Sequence, residues 1–328
     1  MSHQYDFSGY ADLNARTSAR VASLIADAHA LRLKVTQTQS GVTVVDAGVE
    51  AVGGLEAGRQ IAEICMGGLG QVTLNAAPSR SPWNWQVNVT SLQPVLACLA
   101  SQYAGWSLEY PNGDKNFFAL GSGPARTLGS KEPLFDELGY RCAKGPTVMV
   151  IECGEIPPEG LGDKIAEACD IHASDLTLIL TPTSSFAGAV QVVGRVLEVG
   201  MHKVHELGFP LDKVLDGAGS APICPMSGDF LSAMGRTNDA IIFGGLVHLF
   251  VDASDSDAEA LAEKLPSSAS RDFGRPFAEI FKDVGFDFYK VDPHLFSPAQ
   301  VAVTVMKSGK TFTAGTMHPE LLQKSFTS

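Results

Sequence analysis

The sequence predicts an α+β protein of layered α/β character, built as two α/β domains. Three observations carry that reading. Its 328 residues exceed what one small core needs and suit two domains. In the middle of the chain, short runs of Val, Ile and Leu alternate with helical segments, which stacks helices against a sheet. Pairs of β-branched runs joined by short polar turns add local antiparallel strands. The expected division is an N-terminal domain over residues 1–130, with the C-terminal hairpin (about 299–328) packing back on it, and a second domain over residues 131–298.

Taken in order, Leu13 to Leu31 reads as a helix, with Ala15, Ala19, Ala22, Ile25, Ala26 and Ala30 at three- and four-residue spacings. Leu33 to Gln37 and Val42 to Ala47 read as a β-hairpin. Leu55 to Cys65 is a second helix, closed by the glycines of Met66-Gly67-Gly68-Leu69-Gly70, which serve either as a helix cap or as a close approach for a flat ligand. Gln71 to Leu74 and Trp85 to Val89 are strands either side of a break at Pro78 to Pro82. Pro94 to Tyr103 is an apolar helix. Trp106 to Tyr110 and Phe117 to Leu120 are a strand pair turning at Pro111-Asn112-Gly113-Asp114. The following Gly121-Ser122-Gly123-Pro124-Ala125-Arg126 is a candidate polar-ligand loop. It lacks the Gly-Lys-Ser/Thr ending of a P-loop and the full glycine pattern of a dinucleotide fold.

Thr147 to Glu152 and Leu176 to Leu180 are apolar strands, with a helix at Gly162 to Cys169 between them. A helix opens near Phe186 and continues through Met201 to Leu207. Val214 to Ser227, rich in Gly, Ala and Pro, reads as a long ordered loop, and Ala240 to Phe243 as a short strand. Val247 to Val251 is a strand, Ala258 to Leu265 and Pro276 to Val284 are helices, and Phe286 to Val291 is a strand. Gln300 to Met306 and Thr311 to Ala314 form a closing hairpin.

Composition narrows the function classes. A formal net charge of −12 and a pI near 5.1 leave no basic surplus to replace counterions on a phosphate backbone, so no nucleic-acid partner is expected. The six cysteines, Cys65, Cys98, Cys142, Cys153, Cys169 and Cys224, are spread without Cys-x-x-Cys pairs or zinc spacings. Reduced, buried thiols in a cytoplasmic protein are expected, with no metal and no membrane partner, since no signal pattern or apolar run of spanning length is read. Charged residues make up only 18% of the chain, so some apolar surface is expected to close against another subunit.

The chemistry is expected between Thr181 and Gly200. Thr181, Thr183, Ser184 and Ser185 follow an apolar strand and open a helix, a place suited to a polar ligand. Within the apolar run beyond, Arg195 and Glu198 stand three apart, so on a helix a guanidinium can hold a carboxylate ionised on one face. Such pairs also occur on ordinary solvated helix faces. Here Val190, Val192, Val193, Val196, Leu197 and Val199 leave almost no polar face, which favours a buried pair. His202, His205 and His294 are alternative bases but lack a paired carboxylate motif or metal spacing, and are read as structural or surface residues.

Cys65-Met-Gly-Gly-Leu-Gly70, Ala104-Gly-Trp106, Phe118-Ala-Leu-Gly-Ser-Gly-Pro-Ala-Arg126, Thr181-Pro-Thr-Ser-Ser185, Gly194-Arg-Val-Leu-Glu198, Thr237-Asn-Asp-Ala-Ile-Ile-Phe-Gly-Gly245, Leu265-Pro-Ser-Ser-Ala-Ser270 and Asp287-Phe-Tyr-Lys290 together resemble the methenyltetrahydromethanopterin cyclohydrolases. The order and spacing of these motifs carry the likeness from the first helix to Leu321-Leu-Gln-Lys-Ser-Phe326, and it is weakest over Met1 to Ala11 and Ala77 to Gln93. The resemblance implies a one-carbon-metabolism enzyme that adds water to the methenyl bridge of a cationic pterin, leaving the formyl compound, without metal, nucleotide or redox cofactor. It implies Glu198 as the general base and Arg195 as the residue that orients it. It also implies a pocket between two α/β domains, for which Ser122, Arg126, Thr183, Ser184, Ser185, Asn238 and Asp239 are the candidate substrate contacts, and a homotrimer. Asp239 reads equally as a helix or turn cap. A pterin carrier on the same scaffold is the alternative, disfavoured because a binder has no need of an embedded carboxylate. A nicotinamide dehydrogenase fails on motif order.

Overall fold

The computed structural model describes residues 4–77, 83, 85–287 and 290–327, and its strands sort into two six-stranded sheets. Each sheet belongs to its own compact unit. Unit one is Met1–Leu69 with Leu96–Gln191, and unit two is Gly70–Val95 with Val192–Ser328. The expected boundary at residue 130 falls inside unit one, because the strands after it join the same sheet as the strands before it.

In unit one, Asp12 caps helix α1 (Leu13–Ala26) by accepting the Ala15 N–H. The helix stops at Asp27, short of the expected Leu31, and the chain turns back through Arg32 at φ 57. Strands β1 (Lys34–Gln37) and β2 (Thr43–Asp46) form the expected hairpin, and helix α2 (Leu55–Cys65) follows. Unit two contributes β3 (Gly70–Ala76) and β4 (Trp85–Ser91), which pair antiparallel; the expected break at Pro78 to Pro82 lies outside the described residues. The apolar helix at Val95–Gln102 is of π type, its end marked by a bond from Tyr103 N to Cys98 O of 2.7 Å. Strands β5 (Trp106–Asn112) and β6 (Lys115–Ser122) run past the expected turn and close tightly at Gly113-Asp114, with Gly113 at φ 61. Pro111 is tolerated because β5 is a sheet edge.

Short helices α3 (Arg126–Gly129) and α4 (Pro133–Leu138) lead to β7 (Thr147–Ile151), α5 (Glu159–Cys169) and β8 (Leu176–Leu180). The sheet order is β1-β2-β8-β7-β6-β5, with β2, β8 and β7 parallel. Those three strands are apolar on both faces, as a doubly covered sheet requires. Val44, Met149 and Leu178 pack with Leu161 and Ile165 of α5, while Val45, Val148, Val150 and Ile179 pack with Leu24 of α1 and Ile61 and Ile64 of α2. The pairing of Asp46 with Leu180, and of Leu180 with Ile151, sets one carboxyl-terminal edge.

Helix α6 (Phe186–Val193) is followed by α7 (Val196–Glu206), and between them Gly194 and Arg195 interrupt what the sequence suggested as one helix. The stretch expected as a loop from Val214 contains β9 (Val214–Pro222), a central strand of the second sheet. Its glycines explain both the misreading and the fold. A Cβ on Gly217 would lie 2.9 Å from Leu197 Cδ1, and one on Gly219 3.0 Å from Val196 Cγ1. The bare backbone is what lets α7 sit down on the strand.

The expected strand at Ala240 to Phe243 is instead the end of α8 (Phe230–Gly244), started by Asp229, which accepts the Ser232 N–H. An efficient cap and a continuous run of helical bonds override the local β-branched preference. Then come β10 (Leu246–Val251), α9 (Asp255–Lys264), α10 (Phe277–Asp283), β11 (Gln300–Val305), β12 (Thr311–Gly315) and α11 (Pro319–Thr327). Phe286 and Asp287 are in no strand, and the centre of the strand expected there, residues 288–289, lies outside the described residues. The sheet order is β12-β11-β10-β9-β4-β3, so the C-terminal hairpin joins the sheet of unit two. All six cysteines are buried, and none is in a disulfide. Among the described residues no helix is long and apolar enough to cross a membrane.

Candidate active site

Arg195 is the residue that precedes α7, at φ −81 and ψ 4, and its carbonyl accepts the Val199 N–H to start the helix. Glu198 occupies the first turn, where the unpaired N–H groups and helix dipole favour a negative charge. The two side chains are 9% and 4% exposed, and Arg195 Nη1 lies 3.7 Å from Glu198 Oε2. That is an ion-pair distance longer than a hydrogen bond of ~2.7–3.2 Å. The sequence reading of a buried pair holds, but the geometry differs from two positions on one helix. The helix break frees Arg195 from a regular helical direction, while the glycines of β9 seat the first turn that carries Glu198.

Other polar groups of unit two have structural partners. Asp239, in α8, is fully buried; its carboxylate accepts Phe277 N at 3.0 and 3.2 Å and the Ser325 hydroxyl at 2.6 Å. Burial raises its pKa to about 7, against the lowering effect of those same bonds. It therefore ties α8 to α10 and α11, which fits the cap reading. Asn238 is half-buried and donates to Met234 O at 2.9 Å. His202 Nε2 lies 3.8 Å from Glu206 Oε1, and burial lowers its pKa, with Glu206 opposing. Lys203 is buried and donates to the carbonyls of Pro266 and His294 at 2.8 and 2.9 Å, its pKa lowered by burial to about 8.

In unit one, the candidate hydroxyls gather at the carboxyl-terminal edge of the parallel strands, where ligands of open α/β sheets are bound. Ser185 donates to Pro182 O and accepts the Gly188 N–H, both at 2.9 Å, and so caps α6. Thr181, following β8, accepts from Gln191 Nε2 at 3.2 Å, and the same amide donates to Glu152 Oε1 at 3.1 Å. Thr183 is buried, and its hydroxyl has no hydrogen-bond partner among the described residues; Ser184 is half-exposed. Asp46 is saturated by the N–H groups of Gly48, Val49, Glu50 and Ala51 at 2.7–2.8 Å. Burial acts to raise its pKa, and the four bonds outweigh it, so the net shift is downward.

Ser122 and Arg126 do not belong to that edge's accessible groups. Ser122 is fully buried between Cys65 Sγ and Val150 O, each at 3.2 Å. Arg126, also fully buried, forms a two-pronged bond with Glu132 (2.9 and 2.5 Å) and donates to Leu99 O and Ser101 O. Its guanidinium lies 5.2 Å from the Tyr103 ring and 5.3 Å from that of Phe135. The candidate anion loop is thus an internal tether, which its Gly-Ser-Gly spelling did not reveal. Conversely, Glu152 and Gln191 were passed over, although a strand-ending carboxylate and the one polar residue of α6 are visible in the sequence. A cavity of about 390 Å³ in unit one, lined by Gly105, Trp106, Lys131, Glu132 and Lys164, includes none of the candidate residues.

Two mixed sheets, a hydroxyl-bearing strand edge in one unit and a buried Arg–Glu pair at a helix start in the other describe an α+β scaffold that carries an embedded acid–base candidate. Comparison narrows that class. The model of the family described as Cyclohydrolase (MCH) matches residues 12–326. Proteins called methenyltetrahydromethanopterin cyclohydrolase are similar throughout. That of Xanthobacter autotrophicus is 58% identical over 93% of this chain and 90% of its own. That of Methylobacillus flagellatus is 53% identical over 98% and 97%, and that of Methanothermobacter marburgensis 39% over 96% and 98%. The chain belongs to the cyclohydrolase (MCH) family of enzymes.

Proposed function

We propose that this chain hydrolyses the methenyl bridge of 5,10-methenyltetrahydromethanopterin, or its dephospho form, to the 5-formyl compound in cytoplasmic one-carbon metabolism. The observation that carries the mechanism is the buried Arg195–Glu198 pair at the start of α7. The methenyl carbon shares its positive charge with two nitrogens and is already electrophilic, so the reaction needs a placed water and a proton acceptor. Glu198 takes a proton from water as its oxygen bonds to that carbon. The carbon–nitrogen bond on the 10-side then breaks, its electron pair going to the nitrogen, which takes the proton held by Glu198, while the added oxygen releases its remaining proton to solvent and becomes the carbonyl oxygen of a formyl group on N5. Arg195 keeps the carboxylate charged and directed.

The substrate supplies its own electrophile, so no metal or cofactor takes part in this reading, and turnover is expected to survive exhaustive chelation and dialysis. Of the candidate contacts, Thr183 and Ser184 fit substrate binding best, since one hydroxyl is unpartnered and the other is half-exposed. Assembly as a homotrimer is part of the proposal. Mixing the protein with the methenyl substrate and following loss of its conjugated chromophore tests the reaction. Tight binding with the chromophore intact identifies a carrier instead.

A further inference from the structure

The cavity of about 390 Å³ in unit one holds none of the residues assigned to the chemistry. Its walls are α5, the edge strand β5 and residues 129–132 where α3 gives way to α4. On α5, Leu161, Lys164, Ile165 and Ala168 share one face by their three- and four-residue spacing. On β5, Trp106 and Leu108 turn toward that face and pack with Leu161 and Ile165. Ser107 and Glu109 alternate to the other side of the sheet, so the Glu109 carboxylate is directed away from the cavity and accepts Asn116 Nδ2 at 2.5 Å. What these two residues bring to the cavity is backbone. Asn112 and Lys115 flank the two-residue turn and form the hydrogen-bonded pair beside it, so by alternation Ser107 and Glu109 present their N–H and C=O groups to the open edge. Lys164 Nζ donates to Glu109 O at 2.8 Å, in agreement with that direction.

The third wall is held rigidly. Glu132 is gripped by Arg126 at 2.9 and 2.5 Å and accepts the Ser130 hydroxyl at 2.7 Å. Two bare backbones let the wall close: a Cβ on Gly105 would collide with Glu132 Oε2, and one on Gly129 would lie 2.5 Å from Trp106 Cη2 and 2.9 Å from Cys169 Sγ. The cavity is therefore shaped before any ligand arrives, and the buried Arg126 tether, for which the hydrolysis has no use, shapes it.

We propose that this cavity is a binding site for a small planar organic anion, an aromatic carboxylate. Its volume stands at the lower end of the ~300–1,000 Å³ of small-molecule sites, room for a molecule of one or two rings. The Trp106 indole, with Leu161, Ile165 and Ala168, offers such a ring an apolar bed. The polarity left over around that bed is cationic. Glu132 is balanced by Arg126, whereas Lys131 and Lys164 stand exposed among the lining residues. Lys131 makes no hydrogen bond or ion pair among the described residues. In a chain of formal net charge −12, this is a local place where an anion is attracted rather than repelled. The edge N–H groups of Ser107 and Glu109 are further donors for a carboxylate.

Equilibrium dialysis of the intact chain against 2-naphthoate and against its neutral counterpart 2-naphthalenemethanol tests this, with circular dichroism to check folding. The variants are Ala168→Trp, which fills the cavity, Lys131→Glu, which reverses its free cation, and Lys264→Glu, the same charge change at the exposed end of α9. Expected is naphthoate bound by the wild type and Lys264→Glu alike, with Kd below ~1 mM and ~5-fold tighter than the alcohol. Lys131→Glu should weaken naphthoate by ~5-fold or more, and Ala168→Trp should abolish its binding at this site. Lys131 is exposed, so Lys131→Glu decides alone should Ala168→Trp not fold. A wild type that binds no naphthoate at several millimolar overturns the proposal, as does equal affinity for the alcohol. Naphthoate binding that both variants leave unchanged places the anion elsewhere and also overturns it. So does an Ala168→Trp chain that loses subunits in sedimentation, which marks the cavity as a contact between copies. None of these readouts uses the pterin, so their outcome is independent of the reading of Glu198.

Discussion

Arg195 Nη1 stands 3.7 Å from Glu198 Oε2, with both side chains less than a tenth exposed. A carboxylate so placed depends on the cation to remain ionised, because desolvation alone favours the neutral acid. Replacing Arg195 by Gln is expected to lower turnover by ~10-fold or more and to move the activity profile to higher pH, as Glu198 then holds its proton more tightly. Combined with Glu198→Gln it is expected to add almost nothing, because both changes disable one unit. A pH profile unmoved by Arg195→Gln contradicts the pairing.

Arg126 carries a full charge in the interior of unit one, balanced by Glu132 and two carbonyls. Arg126→Ala leaves Glu132 and those carbonyls without their donor, and is expected to cost about 3–5 kcal/mol of stability. Turnover per folded molecule and KM should stay near the wild type. A raised KM with unchanged denaturation midpoint would restore the substrate-binding reading of this residue.

Asp239 joins α8 to α10 and α11 through Phe277 N and the Ser325 hydroxyl. Its folded pKa, raised by burial to about 7, lies above the ~3.9 of an unfolded aspartate. Between those values the folded state binds the extra proton. The contribution to stability is therefore complete below pH ~4 and is lost as pH rises through about 7. Asp239→Asn removes this titration, so the stability difference between wild type and variant, measured by denaturant unfolding at pH 5 and pH 8, should favour the variant more at pH 8. Parallel pH profiles would refute the assignment.

How much was legible in the sequence follows from what each element depends on. Strands β2, β7 and β8 are apolar on both faces, and their Val, Ile and Leu runs announced them. Strand β9 depends on absent side chains, and Gly-Ala-Gly-Ser reads as a loop until α7 is known to lie against it. Helix α8 hid for a related reason: Ala240 to Phe243 has a strand's composition, and the Asp229 cap that marks the helix stands well upstream of it. At the site, Arg195 and Glu198 were visible as charges inside an apolar run. Their placement was not, because Gly194 and Arg195 break the helix between α6 and α7. Ser122 and Arg126 misled because a polar loop and a polar tether share one spelling, and distant partners such as Cys65, Leu99 and Glu132 decide between them.

The central claim is that Glu198 accepts the proton of the attacking water. Glu198→Gln keeps size and hydrogen bonding but removes that capacity. The measurement is single-turnover loss of the methenyl chromophore by the folded variant, alongside substrate binding. The expected result is a rate lower by ~10²- to 10⁴-fold with binding retained. A folded Glu198→Gln protein that turns over near the wild-type rate would contradict it.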